Sequence, residues 1–315
     1  MTNKPENSRQ PVIGLALGSG SARGWGHIGV LRALHEVGIE PQIVCGTSIG
    51  SLVGAVYVCN RIDLLEDWVR GLHIREIVRY LDLRLVVGGG FVQARRLMDS
   101  LSQYITDERI ENLSKSFATV ATDLNSGSEI WFRKGSLRDA VRASIALPGI
   151  FMPVKSGDNW LVDGGLVNPV PVSLCRALGA QVVIAVNLNG DIVGKHLRRI
   201  AGKSGEDREE SAERKLLEKL SVSLKERATS LRNQNSGAPG LLDVLASSIN
   251  IMQDRITRSR MAGDPPDVML TPRLGHIGLL EFDRAAEVID EGRASVRRML
   301  PAIKDALKVV SHGSA

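Results

Sequence analysis

The alternation of apolar and polar positions gives the first picture of the chain. A polar start, Met1 to Gln10, gives way to Val12-Ile13-Gly14-Leu15-Ala16-Leu17. A short unbroken apolar run that ends in a glycine cluster predicts a strand buried on both faces. From His27 to Val37 apolar residues recur at helical spacing, and Gly38 closes the segment. A second apolar run, 42–45, leads into Gly46-Thr47-Ser48-Ile49-Gly50, and a small-residue apolar helix follows from Ser51 to Cys59. That order of strand, loop, helix, strand, tight turn and helix predicts a parallel sheet. Residues 118–124 and 129–133, separated by Asn125-Ser126-Gly127-Ser128, predict a hairpin, and 137–146 a helix ended near Pro148. Trp160 to Val162 predicts a short strand, Gln181 to Leu188 a buried one, Asp267 to Leu270 a late one, and 281–309 a closing amphipathic helix.

Two stretches depart from this rhythm. Residues 60–115 read as mostly helical, with Gly88-Gly89-Gly90 as the hinge of a flap. At about residue 195 the chain turns rich in Lys, Arg and Glu as far as Gly237, with Leu217, Leu220, Leu224, Ala228 and Leu231 at helical spacing inside it. Such a basic stripe could lie in a membrane interface; a helix packed on its own domain with a solvated charged face is the commoner pattern. Pro239 suits the first turn of a following helix that reaches about residue 261. The reading is one domain over residues 10–310, with a charged helical insert at about 195–237 and a flexible N-terminus at 1–9. Its fold class is α/β, three layers with a mainly parallel central sheet.

Composition narrows the function classes. Aromatic residues make up 4% of the 315, so the core rests on Leu, Val, Ile and Ala, as in a sheet covered on both faces. A net charge of +5 suits an anionic surface or substrate, but no basic block with interleaved aromatics points to nucleic acid. Cys45, Cys59 and Cys175 have neither a disulfide framework nor metal-ligand spacing, so no metal or other cofactor is expected. The N-terminus does not read as a signal peptide, and no segment reaches the ~20 apolar residues of a membrane span. A cytoplasmic protein, with contact at the inner face of a membrane as a further option, is the expectation.

Three clusters carry chemistry. Gly18-Ser19-Gly20-Ser21-Ala22-Arg23-Gly24, directly after the first strand, has so little side chain that backbone N–H groups can converge on negative charge. A dinucleotide loop would place its third glycine where Arg23 stands, and no Gly-Lys-Ser/Thr ending is present for a phosphate loop. Gly46-Thr47-Ser48-Ile49-Gly50 has the form of a nucleophile elbow, a strained turn that lifts one serine hydroxyl above a sheet. Asp163-Gly164-Gly165 follows a strand at a tight, open turn, where a lone Asp-Gly is ordinarily a turn former. His276 follows Asp163 and would complete a Ser, Asp, His order, and His27 sits past the glycine loop; an ordinary structural role is the expectation for both.

These three clusters in this order, with Ala143 to Phe151 and Ala121-Thr122-Asp123-Leu124-Asn125 in support, resemble the patatin-like phospholipases, bacterial members related to the catalytic domain of neuropathy target esterase above all. The resemblance covers about 12–190 and resumes at about 240–300. It implies a patatin-like fold and a histidine-free dyad, with Ser48 as nucleophile and Asp163 as base. It also implies an oxyanion hole from the N–H groups of Gly18, Ser19 and Gly20, with Arg23, Gly24, Gly46, Gly50, Gly164 and Gly165 in support. Ser19 stands where the family usually has glycine, and Arg23 either braces the loop or meets a phosphate. A carboxylate is a weak base unless an apolar pocket raises its pKa. The implied activity is a serine lipid acyl hydrolase acting on phospholipid or lysophospholipid, with peripheral contact to an anionic membrane. The alternatives are a soluble carboxylesterase and a scaffold that uses an idle fold.

Overall fold

A computed structural model describes residues 11–73, 100–101, 103–148, 150–191 and 241–312. The expected flap hinge at 88–90 and the charged insert at 195–237 lie outside these residues. An eight-stranded sheet forms the middle layer, in the order β5-β6-β3-β2-β1-β7-β8, with β4 paired to β3. Its strands are β1 (Ile13–Leu17), β2 (Ile43–Thr47), β3 (Ser116–Asp123), β4 (Glu129–Phe132), β5 (Val154–Ser156), β6 (Asn159–Asp163), β7 (Val182–Val186) and β8 (Val268–Leu270). The β1–β2, β1–β7, β2–β3 and β7–β8 pairs are parallel, while β3–β4, β3–β6 and β5–β6 are antiparallel.

The helices are α1 (Gly26–Glu36), α2 (Ile49–Val58), α3 (Ile62–Arg70), α4 (Leu137–Ser144), α5 (Val172–Ala177), α6 (Leu241–Gly263) and α7 (Ala285–His312). Alternate strand residues part to the two faces of the sheet, as the pleat requires. Leu15, Leu17, Ile184 and Val186 pack into one cluster with residues of α1, α2 and α7. Ala16, Val183 and Ala185 pack into another with Val172, Leu174 and Cys175 of α5. Both faces are covered, so the three layers read from the sequence are present. Among the described residues most expected elements stand within a few residues of their places; of the stretch read as mostly helical, 103–109 and 113–115 run instead through turns and bends, and β5 and α5 were not foreseen. Val154–Ser156 and Val172–Ala177 are too short for a periodicity to show.

One detail of the register governs the rest. β2 runs parallel to β3 and stops with Thr47 opposite Val120. β6 runs antiparallel to β3 and stops with Asp163 opposite Ala121. β4 overlaps both pairings, so β2 and β6 share the other edge of β3 and meet head-on there. The residue after β2 is Ser48, and the last of β6 is Asp163. Two segments far apart in sequence are thus brought end to end.

Candidate active site

Ser48 occupies the turn between β2 and α2 with φ 56° and ψ −125°, a conformation that a side chain rarely adopts. Its N–H is held by the Ser144 hydroxyl at 2.9 Å, and Thr47 Oγ1 donates to the Asn168 carbonyl at 2.8 Å. Gly50 is demanded by close approach, since a Cβ there would lie 2.1 Å from the Leu17 carbonyl oxygen. Gly24, Gly46 and Gly164 sit at similar approaches, to Ile49, Ser51 and Val120 respectively.

The Ser48 hydroxyl donates to Asp163 Oδ2 at 2.5 Å. The other carboxylate oxygen, Oδ1, accepts the Gly165 N–H at 2.7 Å. Main-chain bonds fix the aspartate as well: Asp163 N–H reaches the Ala146 carbonyl at 2.9 Å, and Thr122 Oγ1 donates to the Asp163 carbonyl at 2.8 Å. Asp163 is fully buried. Burial pushes its carboxyl up from 3.8 to about 6, and the bonds from Ser48 and Gly165 pull it partly back.

In the glycine loop two of the three expected oxyanion donors are bonded elsewhere. The Gly18 N–H donates to the Val186 carbonyl at 3.1 Å and the Ser19 N–H to that of Pro169 at 2.8 Å. Both are taken by the backbone of distant segments. The neighbouring Gly20 and Ser21 line the same cavity wall as Ser48, and their N–H groups have no partner among the described residues. Ser21 stands at φ 50°, which turns the backbone at that point. The candidate donors therefore move along the loop, keeping Gly20, dropping Gly18 and Ser19, and adding Ser21.

Arg23 braces. It is buried, and its Nε donates to the Ile277 carbonyl at 2.9 Å and its Nη1 to Asn189 Oδ1 at 3.0 Å. His27 is buried too, with Nε2 2.7 Å from the Gly18 carbonyl oxygen. A carbonyl only accepts, so Nε2 carries the proton. Burial brings this imidazole down from 6.5 to about 4, so it is neutral. His276 is half-exposed and pairs with Glu287 at 2.6 Å. The two histidines are thus bonded to Gly18 and Glu287 respectively. Asp123 ties its own turn by accepting from the N–H groups of Asn125 and Ser126.

Ser48 opens on a cavity of about 930 Å³ including its mouth. Trp25, Leu52, Trp68, Leu101 and Phe282 give it an apolar wall, while Gly20, Ser21, Ser48 and Gln253 supply the polar side. Phe151 lines it and Met152 is exposed. Two polar residues at the site had no assigned role in the sequence: Asn189 and Gln253. Asn189 had a signal, since it follows β7 at the same sheet end as the other clusters, where ligands of parallel sheets gather. Gln253 lies within an ordinary helical pattern and had none.

The fold and this geometry define an α/β protein with a serine at a nucleophile elbow facing a buried carboxylate. Residues 15–176 match the patatin-like phospholipase family model. An uncharacterized NTE family protein of Mycobacterium tuberculosis is 31% identical over 337 residues, spanning 94% of this chain and 93% of its own. Patatin-like phospholipase domain-containing protein 6 of Homo sapiens is 37% identical over 186 residues, 56% of this chain and 13% of that protein. The solved structure of VipD from Legionella pneumophila superimposes with a TM-score of 0.45 at 14% identity, covering 93% of this chain and 67% of that one. The chain belongs to the patatin-like phospholipase family. Among the described residues no helix is long and apolar enough to cross a membrane.

Proposed function

We propose that the protein is a serine lipid acyl hydrolase of the phospholipase or lysophospholipase type, with Ser48 as nucleophile and Asp163 as its base. The observation that carries this reading is the 2.5 Å bond from Ser48 Oγ to Asp163 Oδ2 at the wall of an apolar cavity. Asp163 takes the Ser48 proton as Oγ attacks the ester carbonyl. The oxyanion that forms faces the N–H groups of Gly20 and Ser21, and each such donor is worth on the order of 3 kcal/mol. Asp163 returns the proton to the departing alcohol. Water, giving its proton to Asp163, then attacks the acyl-serine and releases the acid, and Asp163 passes that proton to the departing Ser48 oxygen. Every step uses groups of the protein and water. A value of about 6 leaves Asp163 mostly ionised at neutral pH, and more basic than an ordinary carboxylate.

The family and its NTE relatives support a lipid substrate, and the apolar cavity offers room for an acyl chain. The test is fluorophosphonate labelling together with lysophosphatidylcholine hydrolysis. Wild type is expected to react in both assays. Ser48→Ala is expected to lose labelling, and Ser48→Ala and Asp163→Asn each to lose about a thousandfold or more in hydrolysis, as for other nucleophile and base deletions. Full hydrolysis by either folded variant would end the dyad reading. Turnover of phospholipid against a short-chain ester separates a phospholipase from a carboxylesterase.

A further inference from the structure

Gln253, on α6, is 5% exposed and forms part of the cavity wall. A relay of donors fixes which way its amide faces. A guanidinium only donates, so Asn189 must turn Oδ1 toward Arg23 Nη1, 3.0 Å away. That leaves Asn189 Nδ2 to donate to Gln253 Oε1 at 2.9 Å. The Ser19 hydroxyl donates to the same oxygen at 3.0 Å. Both lone pairs of Oε1 are then used, and Nε2 faces away from this cluster with no partner among the described residues. A Cβ at Gly165 would stand 2.5 Å from Gln253 Nε2 and 3.0 Å from Asp163 Oδ1. The unpaired amide and the carboxylate therefore border one point.

An amide donor at the cavity wall with no acceptor in the protein is open to a ligand oxygen. We propose that Gln253 binds the alcohol half of the substrate, its Nε2 donating to the oxygen vicinal to the ester and so favouring esters of glycerol-type diols over simple alkyl esters. This rests on the dyad reading. There Asp163 hands its proton to the departing alkoxide, which brings the alcohol oxygen to Asp163. A donor beside Asp163 meets the atoms attached to that oxygen. The acyl chain lies instead along the apolar wall, and the carbonyl oxygen faces Gly20 and Ser21. Ser19, the residue that departs from the family's usual glycine, supplies one of the bonds that aim the amide.

The experiment compares kcat/KM for monooctanoylglycerol and propyl octanoate in detergent micelles, for wild type, Gln253→Met and Gln253→Glu. Gln253→Glu keeps an oxygen for Ser19 and Asn189 while removing the N–H group, so it serves even if Gln253→Met misfolds. The ratio of glycerol ester to propyl ester is expected to fall about fivefold to tenfold in both variants, the equivalent of one neutral hydrogen bond. Labelling by a fluorophosphonate, which expels fluoride and no alcohol, is expected to fall far less than glycerol ester turnover. An unchanged ratio in folded, labelled variants overturns the proposal, as does an equal loss on both esters, which would make Gln253 a brace for the loop alone. If wild type is not labelled at all, the dyad reading falls and this inference with it.

Discussion

Asp163 divides its two oxygens between a side-chain donor, Ser48, and a backbone donor, Gly165. That division matters because a base must keep one lone pair directed at the nucleophile while something else holds the carboxylate still. Burial raises the carboxyl to about 6, and only the ionised form can take the Ser48 proton. kcat/KM is therefore expected to rise tenfold per pH unit up to about pH 6 and then to level, since this parameter reports the free enzyme. The measurement is ester hydrolysis between pH 4.5 and 8 with a substrate that does not ionise. A profile flat through pH 6 would remove Asp163 as the base. The nucleophile is supported in the same economical way: the Ser144 hydroxyl accepts the N–H of a residue held at φ 56°, a conformation that needs such support.

β1, β2 and β6 each end in a cluster that was legible in the sequence, because a glycine-rich turn after an apolar run is a local signal. Gly18-Ser19-Gly20, Gly46 to Gly50 and Asp163-Gly164-Gly165 could be located without knowing any pairing. What could not be read is where each strand stops along β3, which makes Ser48 and Asp163 neighbours. Nor could the fate of the Gly18 and Ser19 N–H groups be read, since their acceptors, Val186 and Pro169, come from segments far along the chain. Helix packing was hidden for the same reason. α1 and α7 touch through glycines: a Cβ at Gly29 would lie 1.9 Å from the Ile289 carbonyl oxygen, a backbone atom that cannot step aside. Gly29→Ala must therefore push the helices apart, with an expected loss of about 2–4 kcal/mol in a denaturant titration. Gly263→Ala, at the end of α6 with nothing within 4 Å, is the matched control and is expected to change stability by under about 1 kcal/mol. Equal effects at the two sites would show that α1 and α7 can part without strain.

Two buried ionisable groups at this site set opposite pH dependences for the whole molecule. Asp163 titrates at about 6 in the folded protein against an ordinary 3.8, so its contribution to stability is present below 3.8 and is lost as pH rises through 6. His27 titrates at about 4 against an ordinary 6.5, so its contribution is present above 6.5 and is lost as pH falls through 4. Each amounts to on the order of 3 kcal/mol over its window. The windows nearly coincide, so in the wild type one group gains what the other loses. Asp163→Asn should expose the histidine alone. The amide keeps an oxygen for the Gly165 N–H and removes a buried charge, so at pH 7 the variant is expected to be more stable than wild type by about 2–3 kcal/mol while inactive. Between pH 6.5 and 5 it is expected to lose about 1.5 kcal/mol, against about 0.5 kcal/mol in the wild type. Thermal melts of both proteins at these two pH values make the measurement, and His27→Gln should reverse the slope by leaving Asp163 alone to titrate. If Asp163→Asn follows the wild-type slope, the carboxyl is not raised by burial. The base would then have ordinary strength, and the activation of Ser48 would need another source.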